Sequence, residues 1–408
     1  MKLRVSRRPA ARATAGLALS AICLASCGAS GPGAASGERA APALATPLAT
    51  SVEGGGGTWA TVPMGDLRQP ANTFWQLFFR RDGARTWSNQ VEATATATNG
   101  GLVLAPAGHS LLVGVRPSQL LTFTPLISTA DAGGSWSTGL ISQGLTSRPT
   151  ALAMSPGGGA LALVNGRGGP EVLESTRGLS SWQPLVTGKA LASNPIDRPC
   201  EPGPLTAVGY VRVSPTRSTP DDPVIGTSCR RPGVVGIFQE VMATWETVGP
   251  TLPSGSGQAQ VLGLFPARDG LATLIGLSGA RAEVNGGTNL LAAWAALRKP
   301  WASSAPLLLP KGDRLLSYGA TPGGGLFVLV ARPGGENELA VVAATSHAWR
   351  RLPPPPPGTT TVAFGPGSAV DALAAGRTAL TVWHLASDVG KWAKSQVVQV
   401  AIQYGSSS

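Results

Sequence analysis

Short apolar runs recur along the chain, and each is cut by proline, glycine or a polar turn. One unit shows the pattern. Leu102–Ala105 is followed by Pro106 and Gly108, then by Leu111–Val115 and a break at Pro117. Leu120–Ser128 runs into a polar turn, after which comes Trp136–Ile141. Val362–Phe364, Val370–Ala375, Leu380–Leu385 and Trp392–Val400 repeat it. Gly-rich turns such as Gly157–Gly159 and Gly323–Gly325 join the first two runs of a unit. Four short strands in about 45–50 residues make one antiparallel blade.

Two markers keep step with the strands. Trp87, Trp136, Trp182, Trp245, Trp301, Trp349 and Trp392 recur at spacings of 49, 46, 63, 56, 48 and 43 residues. Apolar strands ending in proline recur at Pro106, Pro156, Pro215, Pro266, Pro322 and Pro366, each followed by its Trp after 26–35 residues. A single blade cannot bury both faces, so the blades are expected to stack around an axis. The pattern predicts an all-β, seven-bladed β-propeller of four-stranded antiparallel blades, with a short first blade over 58–92; six blades is the alternative. The longest repeat, Trp182 to Trp245, holds Cys200, Cys229 and the polar run Ser214–Pro223, and is expected to carry an extended loop pinned by a disulfide.

Composition agrees. Charged residues are 13% of the chain against about 25% in a typical soluble protein, while 43% are hydrophobic, enough for a large core. The 54 Gly and 35 Pro argue for turns and against a helical bundle.

The first 26 residues are expected to be removed. Lys2, Arg4, Arg7, Arg8 and Arg12 precede an apolar stretch, Ala13 to Leu24, too short to span a bilayer. Leu24-Ala25-Ser26-Cys27 followed by Gly28 resembles a bacterial lipobox, which implies lipid on Cys27 and a cell-membrane protein on the extracytoplasmic side. Arg7-Arg8 lacks the apolar consensus of a twin-arginine signal. Removal takes away five basic and no acidic residues, so the formal charge falls from +11 to +6. Export and this modest charge argue against nucleic acid as a partner. Residues 27–56, rich in Gly, Ala, Ser and Pro, read as a tether, with the propeller over 57–408. Of four Cys, Cys200 and Cys229 remain, and outside the reducing cytosol an even pair reads as a disulfide. No metal and no cofactor are expected: His109, His347 and His384 lack ligand spacing to these Cys.

Several Trp sit in a turn motif. Thr129, Asp131, Gly133, Ser135 and Trp136 fit Ser/Thr-x-Asp-x-Gly-x-Thr/Ser-Trp at every position. Asp82, Thr86 and Trp87 fit with Ala84 in place of Gly; Asp388, Gly390 and Trp392 form a version one residue shorter. Asp can accept backbone N–H bonds in such a turn, Gly permits the left-handed residue, and Trp is expected to pack back across it. Over about 57–405 the chain resembles the BNR/Asp-box propellers, a class including bacterial sialidases, sortilin-type ectodomains and photosystem-assembly propellers. The resemblance implies the fold and leaves activity open, because Asp boxes lie at blade edges away from the usual binding face.

The sialidase branch implies a Phe/Tyr-Arg-Ile-Pro motif, an arginine triad, a Tyr–Glu pair and an Asp acid/base. Here Phe78-Phe79-Arg80-Arg81-Asp82 lacks Ile-Pro. Of Tyr210, Tyr318 and Tyr404, Tyr318 falls in an expected innermost strand, with Glu240 or Glu283 as candidate partner. No Gly-x-Ser-x-Gly elbow precedes a helix. One pattern stands out: Arg116, Arg167, Arg230, Arg281, Arg332 and Arg377 each end a second strand, with Arg68 a further candidate and Arg231 beside Arg230. Loops after second strands emerge on one face, so these guanidinium groups could ring the channel mouth and attract anions. The reading favours a monomeric binding or assembly module for an anionic glycan, another polyanion or an envelope protein. An exo-sialidase-type glycoside hydrolase is the alternative.

Overall fold

Each unit of the pattern folds as a meander in which strands pair with their neighbours along the chain. The computed structural model describes residues 50–400 apart from 55, 67–72, 91–100, 116–122, 143–148, 167, 177–178, 180, 194–199, 212–220, 253–254, 268–269, 280–286, 297–299, 345, 366–368 and 387–389. The expected export segment, Cys27, most of the tether, Arg68, Arg116, Arg167, Arg281, Glu283, Asp388 and Tyr404 lie outside the described residues. The meanders occupy 50–89, 102–141, 151–187, 202–247, 258–309, 314–352 and 359–399. Five are separate four-stranded sheets. The fourth and fifth merge into one nine-stranded sheet through a single bridge, Ser228 opposite Gln260. The protein is thus nearly all β, a propeller of six or seven blades according to whether the merged sheet counts once or twice. Innermost strands of successive meanders touch in order around a ring, and the last, Thr359–Phe364, touches the first, Thr50–Gly54.

The turns repeat as well as the strands. Ser155 N–H donates to Gly159 O at 2.8 Å, Thr321 N–H to Gly325 O at 2.8 Å and Gly365 N–H to Ala369 O at 2.9 Å, in equivalent turns after the innermost strand. Register shifts interrupt the innermost pairings of the fourth to seventh meanders, where a bulge adds local twist.

The first blade is not short. Thr50–Gly54 pairs along its length with Gly57–Gly65, giving the first meander four strands. Thr50–Gly54, inside the segment expected to be tether, is thus part of the first blade. Thr50, Ser51 and Glu53 disguised the strand, because its order comes from backbone pairing and from Ser51 Oγ donating to Val362 O in the last meander.

The tryptophans also differ from expectation in direction. Buried apolar side chains form seven clusters among the described residues, each spanning two successive meanders. Each cluster contains one marker Trp, which packs against the preceding meander rather than back across its own turn. Trp301 Nε1 donates to Val248 O at 2.6 Å and Trp392 Nε1 to Pro353 O at 3.1 Å, both one meander earlier. Trp136 meets Trp59 edge-on with centroids 5.9 Å apart. The reason is area: a turn offers an indole little apolar surface, whereas the neighbouring sheet offers a whole face.

Trp87 does the same across the seam between the first and last meanders. Its Nε1 donates to Asp371 Oδ2 at 2.8 Å, and Gln396 brackets its backbone, Oε1 accepting from Trp87 N–H at 2.7 Å and Nε2 donating to Trp87 O at 2.9 Å. Arg80 donates to the same Asp371 oxygen and to Thr58 Oγ1, and its guanidinium lies 5.2 Å from the Trp87 ring centre. His384 Nδ1 holds the other carboxylate oxygen at 2.9 Å. Arg80 and Asp371 are both buried. Gly365 admits the pair, since a Cβ there would stand 2.2 Å from Arg80 Nη2. Removing one member of a buried pair strands the other charge. Asp371→Ala should therefore lower stability by about 3–5 kcal/mol, whereas Arg80→Met/Asp371→Leu recovers most of the loss. Urea-unfolding midpoints of the three proteins check this.

Candidate functional site

The innermost strands enclose an axial cavity of about 1010 Å3. Its wall comes from the second to sixth meanders and from Thr50–Glu53, which lies inward against the sixth and seventh. Leu104, Leu152, Val208, Leu264 and Phe265 make that wall mostly apolar, with Tyr210, Asp221 and Glu53 among its polar positions. Burial holds the Glu53 carboxyl above its ordinary value; Asp82 adds to this and Arg80 opposes it.

The arginine loops are fixed to different degrees. Cys200 and Cys229 form a disulfide with Cα atoms 5.1 Å apart, joining the open end of the hairpin made by Pro202–Val211 and Asp222–Cys229. The sequence predicts that this bond pins the extended segment between the two strands, but it lies at the end of the hairpin away from Val211 and Asp222. It instead borders Arg230 and Arg231, both exposed. Arg230 N–H donates to Glu201 O at 3.2 Å, and Gln258 Nε2 donates to Arg230 O at 3.2 Å. Arg377 is exposed after the strand Val370–Ala375. Arg332 departs from the expected ring of open cations: its guanidinium pairs with Glu338, which also accepts from Arg351. Glu338 stands on the adjacent strand, where a local ion pair satisfies an arginine that sequence alone leaves open.

Neither described tyrosine forms the pair a sialidase would need. Tyr318 does lie on an innermost strand, Arg314–Ala320, but its hydroxyl donates to Leu262 O at 2.6 Å and its ring meets Phe265 edge-on. Burial pushes its ionisation upward. Glu240 sits on Ile237–Val241, opposite Trp245. Tyr210 is the tyrosine that sequence reasoning passed over. Burial, then Glu174 and Asp221, push its hydroxyl upward. Glu174 comes from a strand of the preceding meander, which the sequence around Tyr210 does not reveal.

The turn at Thr129–Trp136 is held by its own side chains. Asp131 Oδ1 accepts from Ser135 N–H and from Thr129 Oγ1, both at 2.8 Å, and Oδ2 accepts from Ser135 Oγ at 2.7 Å. Gly133 takes φ +85°, and its N–H donates to Thr129 Oγ1 at 2.9 Å. The turn at Asp82 does not copy it. The Thr129 position is taken there by Arg80, which turns into the seam, and the Asp82 side chain makes no hydrogen bond among the described residues; only its N–H does, to Gly56 O at 3.0 Å. At the last turn Gly390 takes φ +62°.

No protein-family model matches the sequence, and no curated protein matches it either. Solved structures do. A periplasmic gluconolactonase of Pseudomonas aeruginosa is similar at 17% identity and TM-score 0.51, over 84% of this chain and 96% of that one. A lectin from Burkholderia pseudomallei is similar at 13% and 0.51, over 87% and 100%. A protein from Lactobacillus plantarum is similar at 13% and 0.51, over 84% and 97%. At these identities the likeness is one of fold.

The Asp131 turn yields a pH expectation. The Ser135 side chain first, then the Ser135 N–H and the Thr129 hydroxyl, hold the Asp131 carboxyl down to about 2. A depressed acid supports the fold above its ordinary value, and that support fades as pH falls toward about 2. A carboxyl-carbon NMR titration should place the Asp131 midpoint near that value and move it upward in Ser135→Ala.

Proposed function

We propose that this chain is an extracytoplasmic binding module, lipid-anchored at Cys27, that uses the arginine-bearing end of its ring to hold an anionic glycan or similar polyanion. The observation that carries the reading is the Arg230-Arg231 pair, exposed on a loop fixed by a buried disulfide and by backbone hydrogen bonds on either side. Holding the loop before ligand arrives lowers the ordering cost of binding. Guanidinium groups suit carboxylate and sulfate oxygens because their N–H groups form a planar fork. The disulfide supports an oxidising compartment. The turn at Asp131, with its Thr129, Gly133 and Trp136, supports kinship with the Asp-box propellers. Binding is favoured over sialidase-type hydrolysis because the Tyr318 hydroxyl is engaged by Leu262 O and the Tyr210 hydroxyl makes no hydrogen bond to a Glu among the described residues.

The test is binding of heparin, polyglutamate and neutral dextran to the mature protein and to Arg230→Ala/Arg231→Ala at two salt concentrations. The reading expects the two polyanions to bind, dextran not to bind, and the double variant to lose about tenfold in affinity, with salt weakening the remainder. Equal, salt-insensitive binding by both proteins contradicts it.

A further inference from the structure

The opposite end of the same hairpin carries the opposite charge. Asp221 and Asp222 stand where Asp222–Cys229 begins, whereas Arg230 stands where it ends. In the crevice between the third and fourth meanders, Glu174 on Gly169–Ser175 and Glu240 on Ile237–Val241 lie half-buried. Burial raises the Glu174 carboxyl above its ordinary value, and the Glu240 charge raises it further. Neither carboxylate has an ion-pair or hydrogen-bond partner among the described residues. Two like charges near each other with no counter-charge among the described residues are an unfavourable arrangement that a cation would relieve.

A second observation points the same way. Tyr210 is only 8% exposed and its hydroxyl is buried with no hydrogen-bond partner among the described residues. The hydroxyl stands beside the turn at Gly159, where a Cβ would meet Tyr210 Oη at 3.2 Å. A buried hydroxyl is normally satisfied, so this orphan, near two carboxylates with no counter-charge among the described residues, describes hydrogen-bonding capacity left open for something else. Trp245 supplies an aromatic wall. It is paired across its hairpin with Glu240 and packs in the same cluster as Tyr210. Carboxylates beside an indole suit an organic ammonium group better than a bare metal ion. Among the described residues no three His, Cys, Asp or Glu are grouped to hold a metal.

We propose that this crevice binds a small organic cation, a primary ammonium on a short aliphatic chain, through Glu174 and Glu240, with the Tyr210 hydroxyl accepting a hydrogen bond and Trp245 beside the chain. The site is separate from the arginine loop and stands whether or not that loop binds polyanions. Calorimetry on the mature protein with putrescine, and with 1,4-butanediol as its neutral counterpart, tests it. Putrescine should bind and the diol should not. Glu174→Gln/Glu240→Gln should weaken putrescine at least tenfold and Tyr210→Phe several-fold, with the thermal unfolding midpoint held. Should the double variant fail to fold, Glu174→Gln alone carries the test. No heat with putrescine up to about 10 mM, equal binding of the diol, or unchanged affinity in folded Glu-to-Gln variants would overturn the proposal.

Discussion

Asp371 gathers, at the seam between the first and last blades, a guanidinium, an indole N–H and an imidazole. A ring of sheets has to close, and the pairing here gives every blade its own strands, so no strand is shared across the seam. Closure rests chiefly on side chains, beside one long backbone bond from Gly65 N–H to Gly376 O at 3.4 Å. Elsewhere the same task falls to one tryptophan per interface, lodged in the apolar cluster it shares with the preceding blade. At the seam that contact is reinforced by a buried ion pair and by the clamp of Gln396 on the Trp87 backbone. The shape of the axial cavity and the separation of its two ends depend on this closure.

Much of this was legible in the sequence, because a repeat displays its own period. Seven tryptophans in step with strand-ending prolines imply stacked four-stranded units, and the disulfide follows from counting Cys in a chain expected to be exported. What escaped was relational. Thr50–Gly54 has few large apolar side chains and is a strand only because Gly57–Gly65 pairs with it. The direction in which an indole packs depends on a neighbour some 45 residues away. Arg332 is aligned with the other arginines, yet Glu338 on the next strand neutralises it. One signal was readable in retrospect: Arg80 stands where the turn motif asks for Ser or Thr, and that exception is the residue that closes the ring.

Fold and function meet in the hairpin of the fourth blade. Its disulfide end steadies two exposed arginines; its other end lies by carboxylates and the orphaned Tyr210 hydroxyl. Alternation of strand direction sends loops after second strands to one face and turns after first strands to the other, so a single pair of strands can present opposite charges at opposite ends. The scaffold supplies the rigidity, and the loops supply the chemistry.

Native-state hydrogen exchange of the wild-type protein in rising urea tests the closure account most directly. If the side chains gathered on Asp371 shut the ring, strands Gly57–Gly65 and Val370–Ala375 should lose protection together in one sub-global opening. The merged sheet of the fourth and fifth blades should exchange only later. The first and last blades opening as independent units, after the merged sheet, would contradict the account.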